Sequence, residues 1–225
     1  MLLKPGAALL FDIDGTLADT DPLHLEAFNR TFEPYGETFD KPRFALELQG
    51  KANDVIAARF VPQLSIEERR AVMAGKEQAF RELAASEIHG VPGLFALLDL
   101  ADAWGVPMAA VTNAPRPNAD LILNGLGIAH RFQAIVIGDE LAHAKPHPMP
   151  YLEGLRLIGG IAAHAVAFED SRTGIASASG ASIATIGIRT SLADAEMLAA
   201  GAVLSADGYD DPALLAFVAA RLADL

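Results

Sequence analysis

The chain has 225 residues, 52% of them hydrophobic, with 17 Lys and Arg against 29 Asp and Glu, a formal charge of −12. That field disfavours nucleic acid and anionic membrane as partners. The absence of cysteine excludes disulfides, thiolate nucleophiles and thiolate metal sites.

The opening, MLLKPGAALLFDID, does not read as a secretory signal. Its apolar stretch is short, broken by Pro5 and Gly6, and ends in acids. No run approaches the roughly 18 apolar residues of a membrane span, so the expectation is a soluble cytoplasmic protein.

In chain order, Ala7–Ile13 is the first predicted strand. Asp21 and Pro22 then open a helix with Leu23, Ala27, Phe28, Thr31 and Phe32 on one side. Asn53, in LQGKANDVI, is a predicted N-cap, and Ser65 with Glu68 forms a capping box ahead of a long helix reaching about Ser86. No strand is predicted between Asp19 and Ile88, and Ile88–Leu94 reads as a return linker. Helices are predicted over Gly93–Trp104, Asn118–Leu126 (with Asn118 as its N-cap) and Pro150–Ile158, and from the Asp211–Pro212 pair onward. They alternate with apolar runs at Val106–Thr112, Ala134–Gly138, Ala165–Phe168 and Ile183–Ile188.

These runs lack polar alternation, which fits strands covered on both faces. The pattern predicts an α/β fold: a Rossmann-like, doubly wound parallel sheet from residues 1–18 and 89–225, interrupted by an all-helical insertion over 19–88.

The first strand ends in a conflict. LLFDIDGTLADT places Asp12 and Asp14 one residue apart at its exit. Two carboxylates at close range repel unless a cation or a proton neutralises one. Wound sheets bind ligands at the carboxyl ends of their strands, and the other polar residues collect there too: Thr112 and Asn113, then Lys145, then Glu169 and Asp170.

Each has a plainer reading alone. Thr112-Asn113 makes a turn, Lys145 before Pro146 is a loop lysine, and Glu169-Asp170-Ser171 caps a helix. A calcium loop beginning at Asp12 would want Gly and Glu where Leu17 and Leu23 stand. Pro146 and Pro148 break any helix that would align His143 with His147 for zinc. His24 reads as a packed or hinge histidine.

Taken together, DIDGT, VTN, KPHPMPY and FEDSRTGI resemble, in order and spacing, the four motifs of the haloacid dehalogenase superfamily. The likeness is to the branch with a helical cap after the first motif, which holds phosphoglycolate phosphatase-like and β-phosphoglucomutase-like enzymes.

The resemblance implies that Asp12 is the nucleophile, forming an aspartyl-phosphate, and that Asp14 is the general acid and base. It implies Mg²⁺ held by Asp12, the Asp14 backbone carbonyl and Asp170, with Glu169 in or next to the shell. Thr112, the Asn113 amide and Lys145 would hold phosphoryl oxygens, with Gly15 among the substrate-binding residues.

Halide release needs no proton, so Asp14 favours phosphoryl chemistry over dehalogenation. The implied activity is a Mg²⁺-dependent phosphatase acting on a small phosphorylated metabolite such as a sugar phosphate or a phosphoglycolate-like acid. The alternatives are a sugar-phosphate mutase and a non-catalytic metal- or phosphate-binding module. A mutase needs a second phosphate site in the insertion. Asn53 stands where related enzymes carry a Lys or Arg, which leaves Lys51 as the nearby cation. Lys76 is read either as a substrate-phosphate or hinge contact or as solvated helix surface. Nothing in the sequence assigns an oligomeric state.

Overall fold

Apolar runs too uniform to alternate should be buried on both faces, and those of the central strands are. The computed structural model describes residues 2–85 and 87–224. Its strands are β1 (Ala8–Phe11), β2 (Met108–Thr112), β3 (Ala134–Ile137), β4 (Ala165–Glu169), β5 (Ala184–Ile188) and β6 (Leu204–Ala206). They form one parallel sheet in the order β3-β2-β1-β4-β5-β6. Every residue of β1, β2 and β4 is buried. β6 was not predicted: at three residues it is too short to give a period.

Between β1 and the rest of the sheet lie α1 (Asp21–Phe32), α2 (Lys41–Glu47), α3 (Asn53–Phe60) and α4 (Ile66–Ala84). Phe28, Phe32, Phe44, Ile56, Phe60 and Met73 form a core of their own there. Ala27, Phe80 and Ala84 instead pack with the sheet-side core. The capping box stands: Ser65 N–H donates to Glu68 Oε2 at 2.8 Å, and Glu68 N–H to Ser65 Oγ at 3.3 Å. The helix ends at Ala84, and Ser86, its predicted limit, lies outside the described residues.

The chain then alternates through α5 (Leu94–Trp104), α6 (Arg116–Gly125), α7 (Met149–Ile158), α8 (Arg172–Gly180), α9 (Asp194–Ala200) and α10 (Pro212–Leu222). Leu97 and Leu98 of α5 with Leu214 and Val218 of α10 cover one face of the sheet. Tyr151 and Leu155 of α7 with Ala178 of α8 cover the other. No helix among the described residues is long and apolar enough to cross a membrane.

Two predicted caps are corrected. Helix α3 begins at Asn53 with Ala52 in the cap position, and α6 begins at Arg116 behind Pro115. The Asn53 and Asn118 amides donate instead to the buried carboxylate of Glu77, a charged acceptor and so a stronger one than a neutral partner.

Candidate active site

The strand order reverses between β1 and β4, the switch point where wound sheets bind ligands. Phe11 pairs in register with Phe168, and Asp12 N–H donates to Phe168 O at 3.0 Å. Asp12 and Glu169 are therefore brought together at adjacent strand ends. One carboxylate oxygen each from Asp12, Glu169 and Asp170 lie within 4.8 Å of one another, all three residues buried.

Lys145 enters from the loop after β3 and spends all three of its N–H donors. It gives one each to Asp12 Oδ1 (2.6 Å), Glu169 Oε1 (2.5 Å) and Val111 O (2.7 Å). Glu169 is further held by Tyr151 OH at 2.7 Å and by Ser171 Oγ at 3.2 Å. Ser171 also caps α8, accepting from Gly174 N–H at 3.1 Å, so the helix-cap reading of this segment holds as well.

Burial pushes the Asp12 carboxyl up to about 8, with Glu169 and Asp14 pushing the same way against Lys145. Burial also drives Asp170 well above the usual carboxylate range, helped by Asp12 and Asp21. For Lys145, burial opposes the charge, but Asp12 and Glu169 outweigh it and hold the ammonium at about 12. Three buried acids thus share one ammonium. Such a deficit of positive charge, ringed by oxygen donors, fits a hard divalent cation.

Asp14 is half-buried and turned another way. Its Oδ1 accepts from Thr20 Oγ1 and meets His24 Nε2, each at 2.9 Å. His24 Nδ1 lies 2.9 Å from Lys76 Nζ. An ammonium only donates, so Nδ1 accepts and the ring proton sits on Nε2, facing Asp14. Burial alone would raise the Asp14 carboxyl, but His24, Thr20 and Lys76 together bring it below its ordinary value. His24 is packed as expected, stacked on Phe80 at 3.8 Å and 1°. The solvated reading of Lys76 is wrong: it is 3% exposed and also donates to Glu77 at 3.1 Å.

The remaining predicted residues divide. Thr112 is buried at the end of β2, its Oγ1 accepting from Ala114 N–H at 2.9 Å. The Asn113 side chain braces the Lys145 loop: Oδ1 accepts from Lys145 N–H (3.0 Å) and Nδ2 donates to Lys145 O (3.1 Å). Gly15 gives its N–H to Ala18 O at 2.8 Å, so its amide is not free for a substrate. With φ +75° it instead lets the backbone pass against Asp170, where a Cβ would clash with the carboxylate. Lys51 lines the cavity, but its ammonium donates to Leu46 O and Glu47 O, both at 2.9 Å, at the end of α2.

Sequence reasoning missed four residues. Gln49 Nε2 reaches down from the helical insertion to Asp170 Oδ2 (2.8 Å) and Asp21 Oδ2 (3.0 Å). Asp21, read only as a helix start, is raised to about 6, chiefly by burial. Tyr151 stands inside the KPHPMPY motif, where an aromatic reads as core. Glu77 follows Lys76 on a charged helix and looks like surface. Asp12 and Asp170 together with Gln49, Asn53, Ile56 and Glu77 help to line one cavity of about 90 Å³ between the sheet edge and the insertion.

The model of the haloacid dehalogenase-like hydrolases matches residues 9–188. The chain belongs to this family. Its relatives include the CbbY protein of Rhodobacter capsulatus, 34% identical over 189 residues, or 80% of this chain and 83% of that protein. Another is a phosphorylated-carbohydrate phosphatase of Thermotoga maritima, 31% identical over 207 residues, or 87% of this chain and 92% of its own. Among solved structures, CbbY of Rhodobacter sphaeroides in complex with xylulose-1,5-bisphosphate superposes with a TM-score of 0.77 at 30% identity. The match covers 91% of this chain and 95% of that one. This hydrolase thus carries the family's motif order on the family's sheet.

Proposed function

We propose that the chain is a Mg²⁺-dependent phosphatase that hydrolyses a small phosphorylated carbohydrate through an aspartyl-phosphate on Asp12. The observation that carries this reading is the buried cluster of Asp12, Glu169 and Asp170 around the Lys145 ammonium. The phosphatase relative of carbohydrate phosphates supports the substrate class.

Asp12 and Asp170, with the Asp14 backbone carbonyl, would hold the Mg²⁺. Glu169, whose oxygens already accept from Lys145, Tyr151 and Ser171, anchors the lysine and would be in or next to the ion's shell. When bound, the ion supplies positive charge that draws the carboxylates to their ionised forms and offsets the anionic substrate.

An ionised Asp12 oxygen attacks phosphorus and the ester oxygen leaves. Asp14 protonates that oxygen and then takes a proton from the water that cleaves the acyl-phosphate. A phosphoryl dianion arriving beside Asp14 opposes the His24 contact and raises its affinity for the proton it must deliver. Lys145 balances the charge that develops on the phosphoryl oxygens, and Thr112 and the Asn113 amide orient the group. Residues 1–18 and 89–225 act as the catalytic core and 19–88 as a cap. Gln49 and Gly50 form the cap's foot on the core, since Gly50 O accepts from Thr173 Oγ1 at 3.0 Å and from Asn113 Nδ2 at 3.3 Å.

The mutase alternative needs a free cation in the cap for a second phosphate, and Lys51 and Lys76 are both engaged by protein acceptors. A module without catalysis would have no need of the intact set of Asp12, Asp14, Lys145 and Asp170. Phosphate release from p-nitrophenyl phosphate and a panel of sugar phosphates, with Mg²⁺ and with chelator, tests the reading. Release that requires Mg²⁺ supports it; no release from any ester, or full release in chelator, refutes it.

A further inference from the structure

Away from the strand ends, the cavity wall is polar in an unusual way for an enzyme of anionic substrates. Glu77 of α4 is 6% exposed and lies in that wall. Its Oε1 accepts from Asn53 Nδ2 at 2.9 Å and from Lys76 Nζ at 3.1 Å, and its Oε2 accepts from Asn118 Nδ2 at 2.6 Å. We propose that Asn53 and Glu77, the latter held in place by Asn118, select phosphomonoesters whose remainder is uncharged and hydroxyl-bearing, and turn away those carrying a second phosphate or a carboxylate. The proposal rests on the phosphatase reading and specifies its substrate.

The argument is one of valence and charge. A carboxylate oxygen has two acceptor positions, so Oε1 is filled and Oε2 keeps one. The half-buried Asn53 amide uses one hydrogen on Glu77 and keeps the other, while Asn118, fully buried, braces Glu77 from behind. Asn53 Oδ1 accepts no hydrogen bond among the described residues. The wall therefore offers both acceptors and donors at close quarters. A hydroxyl, which gives one bond and takes others, satisfies such a mixture. A phosphate or carboxylate accepts only, and would meet the Glu77 charge.

The cations nearby are committed elsewhere. Lys76 donates to His24 and Glu77 and lies over the Phe28 ring at 4.3 Å. Lys51 closes the end of α2 through two carbonyls. Arg81 donates to Asn118 Oδ1 at 2.9 Å from outside the cavity. Phe28 and Ile56 supply the apolar surface that the C–H face of a polyol would cover. A bisphosphate such as the one bound by the Rhodobacter sphaeroides relative would find no free guanidinium among the described lining residues.

The test compares kcat/KM within matched pairs in Mg²⁺: fructose 1-phosphate against fructose 1,6-bisphosphate, and glycerol 3-phosphate against phosphoglycolate. The neutral-tailed member should win by about tenfold or more, mostly through KM. Glu77→Gln should narrow both ratios, and Asn53→Lys, at a half-buried position, should invert them. Equal or reversed preference in the parent protein overturns the proposal, as do ratios that neither variant moves. If Glu77→Gln does not fold, Asn53→Lys decides alone. Calorimetric titration of the Asp12→Asn protein with the same pairs and Mg²⁺ reads the same preference without turnover. Selective binding there, with no hydrolysis of any ester including p-nitrophenyl phosphate by the parent, would sink the phosphatase reading and leave the tail specificity standing.

Discussion

The two walls of the cavity are built by different rules. At the sheet edge, Asp12, Glu169, Asp170 and Lys145 stand where parallel strands end, and their positions follow from strand register: Phe11 beside Phe168 fixes Asp12 beside Glu169. On the opposite wall, Glu77 gathers Asn53 from α3 and Asn118 from α6, residues 24 and 41 positions away in sequence. The sheet edge crowds three buried acids around one ammonium and raises two of them, a deficit of positive charge that suits a metal. The helical wall is charge-balanced and hydrogen-bonded, which suits reading the rest of a substrate. On the proposed reading chemistry belongs to the sheet edge and specificity to the helical wall, which the insertion builds with Asn118 of α6 from the sheet side, so damage to one wall should differ in kind from damage to the other.

Changes at the sheet edge should be the most severe. Asp12→Asn removes the attacking oxygen, and turnover of every phosphomonoester should fall to background; substantial residual activity would take the nucleophile role away from it. Asp14→Asn should cost about 10²–10⁴ in rate, less for p-nitrophenyl phosphate, whose leaving group needs little protonation. An equal loss for all esters would contradict the acid role.

Lys145→Met leaves Asp12 and Glu169 buried without their partner, a class of change costing about 3–5 kcal/mol. Urea unfolding without metal should read that loss, and an unchanged midpoint would mean that the acids protonate without penalty.

The raised carboxyls also set a sign for pH. Asp12 binds its proton more tightly folded than unfolded, so its contribution to stability is full below about 3.8 and is lost as pH rises through about 8. Mg²⁺ must displace that proton. The rise in melting temperature on adding Mg²⁺ should therefore be larger at pH 8 than at pH 5.5, and the reverse order would contradict the raised value. The smallest effect belongs to the other wall: Gln49→Ala deletes the amide that joins the insertion to Asp170 and should cost about 1 kcal/mol by the same urea assay, while Asp12 chemistry persists.

The same division explains what was legible beforehand. Strands β1 to β5 and the residues at their ends are local features: a short apolar run, then an acid, hydroxyl or lysine in the loop. The capping box at Ser65 and Glu68 was equally local. The caps assigned to Asn53 and Asn118 failed because cap propensity is a local argument, and a buried carboxylate on another helix competes for the same amides. Glu77 was invisible for a related reason. On α4 it sits among Glu67, Glu68, Arg69, Arg70 and Glu82, and only the packing of α3 and α6 against that helix distinguishes it. Lys51 and Gly15 lay close to the site in sequence, but their donors were already taken by Leu46, Glu47 and Ala18.

The most direct test of the central claim is to trap the covalent intermediate. Protein turning over a sugar phosphate with Mg²⁺ is quenched in acid, reduced with borohydride, which converts an acyl-phosphate to the alcohol, and mapped by peptide mass. The account predicts reduction at Asp12 and nowhere else, and none with the Asp12→Asn protein. Reduction at Asp14 or Asp170, or sustained phosphate release with no residue trapped, would contradict it.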